Sequence, residues 1–251
     1  MGDKAKESEF TLQSTKSELS RNYSTKSIVS SDNKEPDYSA ECIFFSILDM
    51  INHLLIVLVT LFIVYEGAKE YYNVTNIHVI LCTIGYILLM SEAFVVLASN
   101  NVLTGSFSHQ TKKHLHWILQ ALGLIFNLVG VIFMYNNKKV HFTSIHGITG
   151  LTSLVIVLVL TAFGYPVWIA FQLRKFVRPV IIKFFHNFLG ISSFVIGMVS
   201  QCYGYNHSWV SVVTKIKYAD TILMIITIII TLLSLRGALI SLYKQGKNCL
   251  K

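Results

Sequence analysis

The chain is poor in charge: 14% of its 251 residues are Asp, Glu, Lys or Arg, against 53% apolar ones, and only three are proline. Soluble globular domains carry charge on about a quarter of their residues. A soluble enzyme is therefore excluded, and so is a disordered hub. Cysteine is scarce as well, and the four present show no metal or redox spacing. Cys82 and Cys202 lie inside apolar runs, while Cys42 and Cys249 sit at the cytoplasmic membrane edge, where free thiols are the rule. The amino-terminal region also lacks the short apolar core of a cleavable signal. Its first forty-two residues are rich in Ser, Thr, Lys and Glu and read as a disordered tail.

What the chain has in excess is apolar sequence, gathered into six runs: Ile51–Tyr65, Ile77–Ser99, Leu115–Tyr135, Ile145–Gly164, Phe188–Tyr205 and Thr221–Leu235. Each approaches the ~20 residues a membrane-spanning helix needs once its flanks are counted. The expected fold is an all-α integral membrane protein. A cytoplasmic tail over 1–42 leads into six transmembrane helices over 43–243, and 244–251 form a short cytoplasmic tail. Sixteen Lys and Arg fall in the tails and loops on one side and five on the other, so both termini are expected in the cytoplasm. These charges lie in short segments between spans, not on a patch beside stacking aromatics, which argues against a nucleic-acid partner. The absence of a targeting signal leaves reticulum, vesicle and plasma membranes open; reticulum or vesicle is expected ahead of the plasma membrane, with lipid as the surrounding partner. A homodimer is compatible with this organisation.

Ionisable side chains inside membrane spans are rare and functional by default. His78, His116, His146 and His186 open the second to fifth spans. Because successive helices alternate direction, His78 and His146 share the outer side and His116 and His186 the cytoplasmic side. Two facing imidazoles per leaflet form an incomplete site for zinc or ferrous iron, which want further carboxylate, Cys or His ligands. Haem brings four equatorial nitrogens of its own and needs two axial ones. Two haem b groups in a central four-helix bundle fit the inventory best. A histidine-based metal or proton transporter without haem is the alternative, as is a b cytochrome fed by a quinol or a flavoprotein.

Other residues join these. Glycines stand four or seven residues, or a multiple near them, after each histidine, as in Gly85, Gly123, Gly130, Gly150, Gly190 and Gly197, offering bare backbone to a flat macrocycle. Glu92, fourteen after His78, returns to nearly the same helical face if the helix is regular; with Gln120 and Asn127 it is a candidate to support the ligands from behind. His53 has no evident facing partner and reads as a buried hydrogen-bonded residue or an edge anchor.

The peptides IHVILC with MSEAFVV, LHWILQ, KVHFTSIHGITGL and FFHNFLG, in this order at the starts of consecutive helices, resemble the cytochrome b-561 family, and within it the short domain-containing transmembrane reductases of the second type. The resemblance covers most of residues 50–240. It departs at Val79, where the family commonly has proline, and in the long amino tail. It implies a diheme oxidoreductase moving electrons from cytoplasmic ascorbate to monodehydroascorbate radical or ferric iron on the lumenal or extracellular side. Lys113 matches a family lysine three residues before the ligand. With Lys112, Arg178 and Lys183 it is the expected ascorbate site, while Lys138, Lys139 and His141 are the expected outer acceptor site. No catalytic residue is required beyond the haem relay.

Overall fold

Polar residues at the ends of the apolar runs find partners on other helices, so the helices extend past the runs. The computed structural model describes residues 40–69, 73–98, 101–162, 164, 175 and 178–249. The spans are α1 (Ala40–Ala68), α2 (Val74–Val95), α3 (His109–Asn137), α4 (Ile145–Ala162) and α5 (Pro179–Tyr205). A short α6 (Ser208–Thr214) precedes the sixth span, α7 (Ala219–Cys249). Six of these helices are long and apolar enough to cross a membrane, and no strand occurs among the described residues. The expected tail over 1–42 lies outside the described residues except for its last three positions, which open α1. At the other end α7 runs on to Cys249, past the expected boundary at 243. With 29 and 31 residues, α1 and α7 are each about 45 Å long, against a hydrocarbon layer of about 30 Å.

Local chemistry sets the ends. Asn73 accepts the Thr75 N–H on its side-chain oxygen at 2.9 Å, and Ser108 accepts the Thr111 N–H at 3.1 Å, each satisfying an orphan donor of a first turn. Pro179 occupies the first turn of α5, where a missing N–H costs nothing. Within α2, Thr83–Met90 is π-helical. Its i→i+5 closure turns the chain by a smaller angle per residue than an α-helix does, so residues beyond it leave the register set at His78.

The tightest pairings are α4 with α5, α5 with α7 and α2 with α3. Both histidine-bearing hairpins close on small residues. In α2–α3, a Cβ on Gly123 would lie 3.1 Å from the Gly85 carbonyl oxygen. In α4–α5, the Ser153 hydroxyl donates to the Ser193 carbonyl at 2.8 Å and the Ser193 hydroxyl to the Ser153 carbonyl at 3.2 Å. Each of these four residues stands seven after its helix's histidine. The glycines expected to face a macrocycle therefore mostly serve helix contact, as small residues do in membranes: Gly85 abuts Asn127, Gly130 abuts Leu81 and Cys82, and Gly197 abuts Tyr86. Gly190, four residues after His186, alone among the expected six has no heavy atom within 4 Å of a Cβ position.

Apolar side chains such as Ile56, Ile87, Met90, Phe194 and Met198 fill the interior, whereas Leu61, Ile125, Val155 and Leu232 project outward and are exposed. That inversion relative to a soluble protein is what a lipid-facing surface requires. α1 joins the bundle through polar contacts: Asn52 donates to the Ser234 hydroxyl of α7 at 2.9 Å, and Asp49 accepts from Arg236 at 2.7 Å.

Candidate functional site

His78 and His146 open α2 and α4, and their rings lie 6.0 Å apart at 86°. Two metal–imidazole bonds of about 2 Å placed end to end, with a ring radius added at each end, span about 6 Å. The same pair cannot hydrogen-bond directly across that gap. Each ring is instead held from behind. His78 Nδ1 is 2.9 Å from the Gly130 carbonyl oxygen and His146 Nδ1 is 2.9 Å from that of Ser200. A carbonyl only accepts, so Nδ1 carries the proton and the lone pair is left on Nε2, the arrangement of a metal-ligating histidine. The Ser200 hydroxyl adds a donor bond of 2.9 Å to the His146 carbonyl and fixes the start of α4 against α5.

At the opposite end of the bundle His116 Nδ1 is 2.7 Å from the Ala93 carbonyl oxygen, which fixes the same tautomer. His186 lies within electrostatic reach of His116. Phe94 stands edge-on to His116 at 6.3 Å and packs on Phe194 at 4.7 Å, closing this end with aromatic side chains. The four sequence-predicted ligands are therefore brought together two by two. The residues present fit haem: His78 and His146 at a bridging separation, three tautomers fixed by carbonyls, and open backbone at Gly190. Among the described residues no group of three or more His, Cys, Asp and Glu converges to hold a bare metal ion.

The supporting residues fall differently from expectation. Glu92 does not return to the His78 face. The π-helical turns shift its register, and its carboxylate lies 2.8 Å from Nδ1 of His53 on α1. Asn127 is 1% exposed and packs against Gly85, its amide nitrogen 3.9 Å from the Met90 sulfur. It lines a cavity of about 190 Å³ beside His78 and His146, although it shares a helix with His116. Gln120 is half-buried on α3.

The cations separate as well. Lys112 is 6% exposed and its ammonium donates to the Ala98 carbonyl at 2.9 Å, so it caps the end of α2 and is not presented to a ligand. Its neighbour Lys113 is exposed, as is Lys183. Arg178 is exposed and donates to the Asn248 carbonyl at 3.2 Å. On the other side Lys138 and His141 line the cavity, His141 stacked on Tyr135 at 3.9 Å, while Lys139 is exposed and not among the lining residues. His207 falls between the fifth and sixth apolar runs of the sequence. The structure sets its ring 5.7 Å from His146, between this cavity and an adjoining one of about 410 Å³. Its position just past the end of α5, at the level of the start of α4, was the available signal.

A family model described as eukaryotic cytochrome b561 matches residues 77–212, which include all four histidines and leave α1 and α7 outside. The probable ascorbate-specific transmembrane electron transporter 1 of Oryza sativa subsp. japonica is 26% identical over 134 residues, 52% of this chain and 55% of the relative. The transmembrane reductase CYB561D2 of Mus musculus is 30% identical over 82 residues, 31% of this chain and 37% of the relative. The ascorbate-specific transmembrane electron transporter 2 of Zea mays is 36% identical over 64 residues, 26% of this chain and 25% of the relative. The chain thus spans about half the length of these relatives, or less.

Proposed function

Because the chain belongs to the eukaryotic cytochrome b561 family, which implies b-type haem, we propose that it is a diheme transmembrane reductase. It takes single electrons from ascorbate on the cytoplasmic side, where its termini lie, and delivers them to monodehydroascorbate radical or ferric iron on the other. The observation that carries this reading is the His78–His146 pair, 6.0 Å apart with both Nδ1 atoms committed to backbone carbonyls. His116 and His186 hold the second group.

Haem held by His78 with His146, and by His116 with His186, would supply a one-electron carrier suited to electron transfer. The chain's own residues do the rest. The carbonyls of Gly130, Ala93 and Ser200 keep three imidazoles in the ligating tautomer and orientation. Phe94, Phe194, Met90 and Met198 keep water out of the interior between the pairs. Lys113 and Lys183 give the cytoplasmic mouth a positive rim for the ascorbate anion, with Lys112 withdrawn to its helix cap. Lys138, His141 and His207 line the opposite mouth and offer a cation and imidazoles to the acceptor.

The deciding experiment is a reduced-minus-oxidised optical spectrum of the purified chain, with haem quantified per polypeptide and ascorbate added before dithionite. Two b-type haems reducible by ascorbate are expected. Protein that binds no haem, or haem that ascorbate leaves oxidised while a quinol reduces it, would overturn the reading.

A further inference from the structure

We propose that Glu92 and His53 form a proton-binding site whose protonation follows the electron at the His116 end of the bundle. The inference rests on the functional reading above and deepens it, since ascorbate gives up a proton with its electron. The pair lies outside the four ligand positions, between α1 and the end of α2, with side chains 9% (His53) and 21% (Glu92) exposed and 2.8 Å between imidazole and carboxylate.

The proton inventory of the pair can be read from its neighbours. Asn101 Nδ2 is 3.1 Å from His53 Nε2. The Asn101 amide cannot be reversed, because its oxygen accepts the Leu103 N–H at 2.8 Å and the Thr104 N–H at 3.0 Å, and its nitrogen also donates to the Val95 carbonyl at 3.2 Å. Asn101 therefore donates to Nε2, which must carry a lone pair. The imidazole proton is on Nδ1 and is donated to Glu92. In this arrangement His53 is neutral and Glu92 is a carboxylate. Both ring nitrogens are used, so the place left for an incoming proton is the carboxylate.

Glu92 is bonded to Ala93, and the Ala93 carbonyl receives the Nδ1–H of His116 at 2.7 Å. An electron arriving beside His116 is thus repelled by the negative charge of the residue next to the one that holds its imidazole. The other charged groups facing the pair do not cancel that charge. Asp49, one turn earlier on α1, is taken up by Arg236 of α7 at 2.7 Å, and Lys112 of α3 is turned to the Ala98 carbonyl. Protonating Glu92 as the electron arrives removes the repulsion.

A route to the pair is also present. Asp49, Asn52 and His53 share one face of α1 at i, i+3 and i+4. Asp49 and Asn52 are 3% and 0% exposed, and each has one buried side-chain oxygen with no hydrogen-bond partner in the structure. Two acceptors lacking donors, aligned from the amino-terminal end of α1 toward His53, provide steps for a proton. The balance is one electron and one proton from each ascorbate anion, which becomes the radical anion. The electron goes to the His116–His186 side, and one proton from the same compartment converts the Glu92 carboxylate to the acid. The proton returns when the electron departs, so only the electron crosses.

The test is a potentiometric titration of the full, haem-loaded chain in lipid nanodiscs at a series of pH values. In the unaltered protein the potential of one haem is expected to fall with rising pH, by up to about 59 mV per unit for one proton per electron, while the other stays nearly constant. Glu92→Gln keeps the size and the hydrogen bond and should abolish the slope without changing haem content. If that variant does not accumulate, His53→Gln, which removes the imidazole N–H from the carboxylate, should move the pH at which the slope sets in. A slope retained in Glu92→Gln, or an onset unmoved in His53→Gln, overturns the proposal. Haem-loaded protein with pH-independent potentials overturns this proposal alone, whereas a chain that takes up no haem overturns the functional reading and this one with it.

Discussion

Ser153 and Ser193 exchange bonds across the α4–α5 contact, each hydroxyl donating to the other residue's backbone carbonyl, at 2.8 and 3.2 Å. They stand seven residues after His146 and His186, where the α2–α3 hairpin has Gly85 and Gly123 after His78 and His116. Fourteen residues after the second histidine of each hairpin come Gly130 and Ser200, the carbonyls that hold the first histidine of the same hairpin. The two hairpins are thus built alike, one with bare backbone at its crossing and the other with hydroxyls that satisfy each other. In both, the small residue seven positions beyond the crossing, Gly130 after Gly123 and Ser200 after Ser193, presents the carbonyl that orients the facing histidine.

If the pairs hold one haem each, His116→Ala and His146→Ala should each halve the haem per polypeptide and leave the other haem's spectrum in place. Ascorbate should still reduce the remaining haem in the His146 variant, because the cytoplasmic pair is intact. Reduction of an acceptor trapped inside vesicles should fall to background in both. Full turnover in either variant would remove the pair from the electron path.

Helix contact and ligand orientation meet at Gly130. A Cβ there would lie 3.0 Å from the Cys82 sulfur and 3.2 Å from the Leu81 Cβ, so Gly130→Ala should cost about 1–3 kcal/mol by overpacking. The displaced carbonyl should also shift the potential of the haem held by His78. Gly190→Ala, with nothing within 4 Å, should leave the thermal midpoint of the haem-free protein unchanged. Equal destabilisation by the two substitutions would contradict the helix-contact role.

How much of this was legible in the sequence follows from what each signal depends on. The six spans and the approach of His78 to His146 were readable because hydropathy and depth are local properties, and helices alternating across a bilayer place residues at matching ends by topology alone. Glu92 was misplaced because counting fourteen residues assumes a constant angle per residue, which eight π-helical positions in α2 break. Lys112 could not be separated from Lys113 by composition. Adjacent residues point about 100° apart on a helix, and only the fold shows that one of them meets the open end of α2. The carbonyls of Gly130, Ala93 and Ser200 carry no side-chain signature at all.

The two adjacent lysines should now part in experiment. Lys112→Met keeps the apolar stem and removes the ammonium that caps the Ala98 carbonyl, so stability should drop by about 1–3 kcal/mol with the KM for ascorbate unchanged. Lys113→Glu should raise that KM several-fold and leave the thermal midpoint near the unaltered value. A KM effect confined to Lys112 would reverse the assignment.

The Asp49–Arg236 pair makes the attachment of α1 testable apart from any cofactor. Asp49 is 4% exposed at its side chain and Arg236 21%, the ion pair is 2.7 Å, and the guanidinium lies 4.4 Å from the centre of the Phe45 ring. Removing one partner of a buried pair costs about 3–5 kcal/mol because the other charge is stranded. Partial exposure and the Phe45 ring ease that penalty for a stranded arginine, whereas a stranded Asp49 has one oxygen already without a donor. Arg236→Met should therefore destabilise more than Asp49→Asn. The double variant, with neither charge left, should be more stable than Arg236→Met alone, giving a favourable coupling in a double-mutant cycle read from thermal denaturation. Strict additivity would mean that the two side chains do not depend on each other, and that α1 is held by its apolar face and the Asn52–Ser234 bond instead.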